Sequence, residues 1–142
     1  MPIWISFGMK LARSVEWKQM TKHILVVDDE EQVRHLLGVF LREAGYQVSE
    51  ASDGEQAVRL VKQKAPDLVV LDLVMPEKEG AETVMDMRRL HPELPVLAIS
   101  GVVGAEFYLH AAKLLGASAT LRKPFTREQL LEAVESLLTV AE

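Results

Sequence analysis

Short β-rich runs alternate with segments of helical periodicity along most of this chain. The runs cover residues 24–27, 47–51, 68–71, 96–99 and 119–122. Between them, apolar residues recur every three or four positions, which is the spacing of one buried helix face. Alternation of this kind is typical of repeated βαβ units around a parallel sheet. We therefore predict an α/β fold with a doubly wound, five-stranded parallel sheet.

Capping residues and prolines set the predicted helix boundaries. The second helix begins with a capping box at Ser52–Glu55 and ends before Pro66, and the last begins with a capping box from Thr126 to Gln129. The third and fourth helices are predicted at about residues 82–90 and 105–115. The first helix ends at Gly45, and its predicted buried stripe comprises Val33, Leu36, Leu37, Phe40, Leu41 and Ala44. The stripe predicted for the last helix comprises Leu130, Val134, Leu137 and Ala141.

The polarity of the five runs predicts their order in the sheet. Four runs are largely apolar, as expected of strands covered by helices on both faces, whereas residues 47–51 alternate less cleanly and belong at an edge. With right-handed crossovers, this predicts the order 2-1-3-4-5. Strand one then lies beside strand three.

Four of these runs are followed by residues that can do chemistry. Asp28 and Asp29 follow the first, Asp72 the third, Ser100 the fourth and Lys123 the fifth. The carboxyl ends of parallel strands meet at one edge of the sheet, so these groups should converge there. Two like charges about 4 Å apart repel by about 4 kcal/mol at an effective dielectric constant of about 20, so the cluster needs a cation. The chemistry suits Mg²⁺, with Asp72 on the central strand as a carboxylate that accepts a phosphoryl group.

Composition limits the classes of function. The chain has 142 residues, enough for one ordinary domain, and carries a net charge of −5, which argues against nucleic-acid binding. It contains no cysteine, which excludes disulfides and thiolate metal sites. The sequence predicts no transmembrane segment and a cytoplasmic location. The four histidines show no metal-ligand spacing.

Residues 1–21 differ from the remainder and are predicted to be an N-terminal extension to a domain at 22–142. Residues 1–22 carry four basic residues and one acidic residue, and apolar residues recur there at helical spacing. An amphipathic helix that binds a partner or an anionic membrane is one interpretation. A disordered tail, or a remnant of an upstream start codon, is the simpler one.

Four motifs in the chain carry a family resemblance. They are Leu25–Glu30, Leu71–Pro76 with Gly80, Ile99–Gly101 and Lys123–Phe125. As an ordered set, they resemble the receiver domain of bacterial two-component response regulators over about residues 22–140. The resemblance implies the flavodoxin-like receiver fold of the chemotaxis response regulator.

The resemblance also implies roles for individual residues. Asp72 would accept a phosphoryl group from a sensor histidine kinase or phosphotransfer protein, and Ser100 and Lys123 would bind the phosphoryl oxygens. Asp29 and Asp72 would ligate Mg²⁺ directly, with Asp28 acting through water. The backbone carbonyl of Val74 would complete the ligand set. Such a protein is no enzyme beyond its own phosphorylation and dephosphorylation, and the family usually has a cis bond at Lys123–Pro124.

Two departures from the family pattern bear on signalling. Thr120 stands where receivers usually have a switching Tyr or Phe, and Phe107 or Tyr108 is a candidate substitute. Val74 and Val102 cannot orient an attacking water, so slow self-dephosphorylation is predicted. The signal is expected to leave through the fourth helix, fifth strand and fifth helix toward an unknown downstream protein, and a homodimer stays open.

Three rival interpretations remain at this stage. The chain is a receiver taken from a longer regulator or hybrid kinase, a constitutive interaction module that is never phosphorylated, or an enzyme or nucleotide-binding protein of similar topology. All five predicted site residues are present, which argues against an interaction module that is never phosphorylated. The third needs a glycine-rich phosphate loop after strand one, where this chain has acidic residues instead.

Overall fold

A computed structural model describes residues 22–73, 79–101 and 104–141. The N-terminal segment 1–21, and with it the predicted amphipathic helix, lies outside these residues. The described chain alternates strands and helices in the order β1 (His23–Val27), α1 (Glu31–Glu43), β2 (Gln47–Ala51), α2 (Gly54–Gln63), β3 (Leu68–Asp72), α3 (Glu79–Leu90), β4 (Val96–Ser100), α4 (Ala105–Leu115), β5 (Ala119–Arg122) and α5 (Arg127–Ala141). Within these ranges, no helix is long and apolar enough to cross a bilayer.

The strands form one parallel sheet in the order β2-β1-β3-β4-β5, which confirms the predicted fold and strand order. Residue Val27 is paired with Leu71, and Asp72 with Ile99. On the far side of β4, Ser100 is paired with Arg122. This register brings the carboxyl ends of β1, β3, β4 and β5 to one edge.

Helices cover the sheet on two faces, because alternate residues of each strand point to opposite sides. On one face, Ile24 and Val70 of the strands pack in a core with α1 and α5. On the other, Leu25 and Leu71 pack in a core with α2 and α3. A small third cluster beside α4 contains Ala98, Ala112 and Ala117.

The capping boxes show one agreement and one correction. At α5, the Thr126 hydroxyl accepts from the Gln129 N–H at 3.0 Å while the Gln129 side chain accepts from the Thr126 N–H, as predicted. At α2, the predicted box at Ser52–Glu55 is one residue too early. Asp53 is the N-cap and accepts from the Gln56 N–H at 2.7 Å, because its carboxylate is the better-placed acceptor.

Two predicted buried stripes also need correction. Leu36 is 51% exposed, because it lies at the edge of the α1 stripe and faces a surface cleft. In α5, Leu130 and Val134 are buried as predicted, but in the last turn Leu138 is buried and Leu137 is only half-buried. The side chain of Ala141 lies outside the described residues. The edge strand β5 is only partly buried, and its Arg122 is exposed.

Candidate functional site

Asp72 and Lys123 form the centre of the site. Asp72 is the last residue of the buried strand β3 and is only 3% exposed. Lys123 follows β5, and its Nζ donates to Asp72 Oδ2 at 3.0 Å. Burial lowers the pKa of the Lys123 ammonium, but the hydrogen bond and charge of Asp72, with the charges of Asp28 and Glu30, outweigh burial and raise it overall. Lys123 is therefore a persistent cation beside the Asp72 carboxylate.

Asp28 lies next to this pair, directly after β1, and is fully buried. Its Oδ1 accepts from the Glu30 N–H at 2.8 Å, whereas its Oδ2 lies 3.8 Å from Lys123 Nζ. That Oδ2 has no hydrogen-bond partner among the described residues. Burial raises the pKa of Asp28 to about 7, with a further increase from Asp72 and a partial offset by the Glu30 N–H and Lys123. The site therefore contains a buried carboxyl group that lacks a sufficient cationic partner.

Ser100 ends the neighbouring strand β4 and is also fully buried. Its carbonyl accepts from the Lys123 N–H at 2.9 Å, and its hydroxyl has no hydrogen-bond partner in the described part of the chain. The next residue, Gly101, allows the Lys123 side chain to pass, since a Cβ at position 101 would lie 2.5 Å from Lys123 Cβ. The ends of β4 and β5 are thus joined beside Asp72 by a backbone hydrogen bond. The buried Ser100 hydroxyl has no hydrogen-bond partner among the described residues.

The remaining predicted metal ligands are placed differently. Asp29 is exposed and lies with Asp72 and Lys123 along the wall of a cleft. Val74, whose backbone carbonyl is the remaining predicted metal ligand, lies outside the described residues. Within the described ranges, no three acidic or histidine side chains are gathered closely enough to hold a metal ion by themselves. Any Mg²⁺ here would therefore need ligands from water or phosphate as well, as this ion usually does.

Sequence reasoning missed one residue that contacts the site. Arg34 on α1 donates through Nη1 to the carbonyl oxygen of Asp28 at 2.8 Å. Its Nε donates to Glu50 of β2 at 3.1 Å. The only signal in the sequence is a basic residue five positions after Asp29, in the first turn of α1. Such a residue is ordinarily a solvated surface charge.

A cleft of about 800 Å³ runs from the site along α1. Asp29, Asp72 and Lys123 lie at its charged end. Its apolar part is lined by Val33, Leu36, Leu37, Phe40 and Phe125. The Asp72 carboxylate is thus continuous with an apolar surface along α1.

Thr120, which stands where receivers usually have an aromatic residue, lies on β5 next to α4. Thr120 is half-buried on β5 and lines a second cleft, of about 420 Å³, together with Leu109 and His110 of α4. The candidate substitutes Phe107 and Tyr108 are exposed, and their rings contact edge to face with centroids 5.7 Å apart. The suggestion that either ring replaces the usual aromatic switch stays a prediction.

Comparison with known proteins identifies the family. The response regulator receiver domain matches residues 24–135, and the chain belongs to this family. The chain is 37% identical over 123 residues to the alkaline phosphatase synthesis transcriptional regulatory protein PhoP of Bacillus subtilis, covering 87% of this chain and 51% of that protein. It is 32% identical over 120 residues to the chemotaxis protein CheY of Halobacterium salinarum, covering 84% of this chain and 99% of that protein.

Solved structures agree with the fold. The receiver domain of NtrX from Brucella abortus superposes with a TM-score of 0.77 at 34% identity, covering 82% of this chain and 98% of that one. The chain thus spans about half of the PhoP relative and nearly all of the CheY relative. The Lys123–Pro124 bond is cis, as the resemblance implied.

Proposed function

We propose that this protein is the phosphoacceptor of a two-component signalling system and that Asp72 carries the phosphoryl group. The observation that supports this most strongly is the burial of Asp72 at the end of β3, in a hydrogen bond with Lys123 and next to the equally buried Asp28 and Ser100. A carboxylate in this setting is held rigidly at the edge of the sheet where ligands of such folds bind.

The proposed reaction is a displacement at phosphorus. An oxygen of the Asp72 carboxylate forms the new O–P bond, and the P–N bond of a phosphohistidine on the donor breaks. The electron pair of that bond goes to the imidazole nitrogen, which then takes a proton. Phosphoryl transfer requires mainly positioning and charge stabilisation, and Lys123 supplies a fixed positive charge beside the phosphoryl oxygens. The buried Ser100 hydroxyl, which has no hydrogen-bond partner among the described residues, would donate to one of them.

The donor atoms of the site fit Mg²⁺. They are hard carboxylate oxygens, and one of them, Asp28 Oδ2, is buried without a hydrogen-bond partner in the described residues. Asp29 and Asp72 would hold the ion, Asp28 would act through water, and the Val74 carbonyl stays an expectation. The bound ion would neutralise carboxylate charge and stabilise negative charge on the transferred group. Apart from this self-modification, the protein acts on no substrate.

The cleft along α1 is the proposed docking site for the donor, a sensor histidine kinase or phosphotransfer protein. It joins the acceptor carboxylate to an apolar surface that includes the exposed Leu36. A helix carrying the phosphohistidine would cover this apolar surface while its imidazole reaches Asp72. The response would leave through α4, β5 and α5 to a downstream protein, because Ser100 and Lys123 adjoin these elements. Slow dephosphorylation and a cytoplasmic location stay predictions.

Intact-mass measurement tests the proposal. The full chain is incubated with a small phosphodonor and Mg²⁺, alongside Asp72→Asn and the matched control Asp86→Asn, which makes the same change on the surface of α3. The wild type and the control should gain one phosphoryl group, and Asp72→Asn should gain none. A gain by Asp72→Asn would place the acceptor elsewhere. An unmodified wild type would favour a constitutive interaction module.

A further inference from the structure

Arg34 connects the acidic end of β1 to two other elements. It lies on α1, its side chain is only 15% exposed, and its guanidinium contacts groups on both sides. Nη1 donates to the Asp28 carbonyl oxygen at 2.8 Å and Nε donates to Glu50 Oε1 at 3.1 Å. Such a geometry uses the planar, forked arrangement of arginine donors, which a lysine cannot reproduce.

The contact with Arg34 completes a set of bonds that hold Asp28. The Asp28 N–H donates to the Ala51 carbonyl at 3.1 Å, and its carboxylate Oδ1 accepts from the Glu30 N–H. With the carbonyl bound by Arg34, the backbone is held on both sides and the side chain is held by one oxygen. The second oxygen, Oδ2, is therefore fixed in its direction toward Lys123.

Glu50 in turn fixes the orientation of Arg34. It also accepts from Arg42 Nη2 at 3.5 Å, so two arginines two helical turns apart converge on one carboxylate. Gly38 lies between them on the same stripe of α1, and a Cβ there would be 3.0 Å from Arg42 Nη1 and 3.4 Å from Glu50 Oε2. The absence of a side chain at Gly38 leaves space for this arrangement.

We propose that Arg34 is a positioning residue, which sets the direction of the Asp28 carboxylate and thereby the affinity of the site for Mg²⁺, without contacting the ion. This inference rests on the proposed function. Removal of partners that orient a direct metal ligand typically weakens metal binding by about 10–100-fold. Because Asp28 acts on the ion through water, we expect an effect at the lower end of this range.

The sign of the effect separates positioning from simple charge. Arg34 is a cation near an acidic site, so if it acted only by charge, its removal would tighten Mg²⁺ binding. If it positions Asp28, removal weakens binding. In the wild type, the ion pair with Glu50 already reduces the repulsion between Arg34 and Mg²⁺.

The experiment is a Mg²⁺ titration of the full chain. The NMR chemical shifts of the Asp28–Glu30 amides are recorded at each Mg²⁺ concentration and give the dissociation constant. Arg34→Met should bind Mg²⁺ about tenfold more weakly than wild type. Arg42→Met, which removes the exposed arginine on the same carboxylate, should stay within about twofold because exposed ion pairs contribute little. Unchanged or tighter binding by Arg34→Met would overturn the proposal.

A second pair of variants keeps the test valid if Arg34→Met fails to fold. Glu50→Gln and Glu50→Met both remove the same charge, but only Gln retains an acceptor for Arg34 Nε. Glu50→Gln should bind Mg²⁺ more tightly than Glu50→Met, and equal affinities would contradict the positioning role.

Phosphorylation kinetics provide an independent readout. For Arg34→Met, the Mg²⁺ concentration at half-maximal rate should rise about tenfold while the maximal rate is retained. A lower maximal rate at saturating Mg²⁺ would contradict the proposal. A wild type that neither binds Mg²⁺ nor gains a phosphoryl group would refute the proposed function, whereas normal behaviour of both wild type and Arg34→Met would refute this inference alone.

Discussion

The two sides of the site are packed very differently. On one side, which we call the β1–β3 region, every residue of β3 is buried and β1 is buried from Ile24 onward. On the other, the α4–β5 region, α4 lies against a small cluster of alanines and β5 is only partly buried. Phe107 of α4 is 73% exposed and Leu114 is 76% exposed.

This difference in packing indicates which side of the site can rearrange more readily. Asp28 follows β1 and Asp72 ends β3, so both carboxylates belong to the β1–β3 region, where extensive packing opposes movement. Ser100 and Lys123 adjoin the α4–β5 region, which buries fewer apolar side chains. Regions with few buried apolar contacts have lower local stability and rearrange more readily. A phosphoryl group that draws on Ser100 and Lys123 would therefore act where rearrangement costs least.

A pair of leucine truncations tests the comparison with the largest expected effect. Leu71→Ala in β3 removes a fully buried side chain and should lower the free energy of unfolding by about 2–5 kcal/mol. Leu121→Ala in β5, where the side chain is half-buried, should cost about half as much. Urea denaturation measures both values. Equal losses would show that the two regions are packed equally well.

Two glycines allow a matched test of backbone constraint. A Cβ at Gly80 would lie 2.9 Å from the Leu73 backbone, so Gly80→Ala must separate α3 from the end of β3 and should cost about 1–3 kcal/mol. Gly104, at the start of α4, has φ +84, and a Cβ there would make only an ordinary contact with the Tyr108 ring at 4.0 Å. Gly104→Ala should therefore cost about 1 kcal/mol, from backbone strain alone. Thermal denaturation measures the stability of both variants. A larger loss of stability in Gly104→Ala than in Gly80→Ala would show that the backbone is more tightly constrained at the start of α4 than at the end of β3.

The buried Asp28 should destabilise the metal-free protein at neutral pH. The pKa of Asp28 is raised to about 7, so the folded state keeps a proton that the unfolded state releases. The contribution of Asp28 to the free energy of unfolding is therefore full at low pH and is lost as the pH rises through about 7. Asp28→Asn should therefore stabilise the metal-free protein by about 1–3 kcal/mol at pH 8, and should bring little change near pH 4.

Urea denaturation at both pH values, in the presence of a chelator, checks this expectation. A destabilised Asp28→Asn at pH 8 would show that the carboxylate is adequately compensated in the β1–β3 region.

The smallest expected effect concerns His23 of β1. Burial, with a contribution from Lys64, lowers its pKa, while Asp67 opposes the shift. The folded state thus resists protonation, so stability is full above about pH 6.5 and decreases as the pH falls through the lowered pKa. In His23→Gln, the decrease in the free energy of unfolding at acidic pH should be smaller than in the wild type, by less than about 1 kcal/mol. Urea denaturation of the wild type and His23→Gln at neutral and acidic pH measures this decrease, and the same pH dependence in both proteins would contradict the expectation.

Particular residues show how far the sequence predicts this structure. The strands and the α5 cap follow from local patterns, because periodicity and capping depend on near neighbours in the chain. The strand order also requires the rule that crossovers are right-handed. Leu36 and Leu137 were misplaced, since a stripe of apolar residues is wider than the surface that a helix buries. At α2, the sequence predicts the cap one residue too early, because Ser52 and Asp53 are both good capping residues.

By itself, the sequence determined the element order and which reactive residues end which strands, and its motifs pointed to the family. The tertiary structure alone decided that Asp28 and Asp72 share a buried setting with Lys123 while Asp29 stays exposed. It also decided that Arg34 holds the Asp28 carbonyl. The physical reason is that strand and helix signals are written in adjacent residues, whereas burial, charge proximity and hydrogen-bond direction arise only when distant segments pack together.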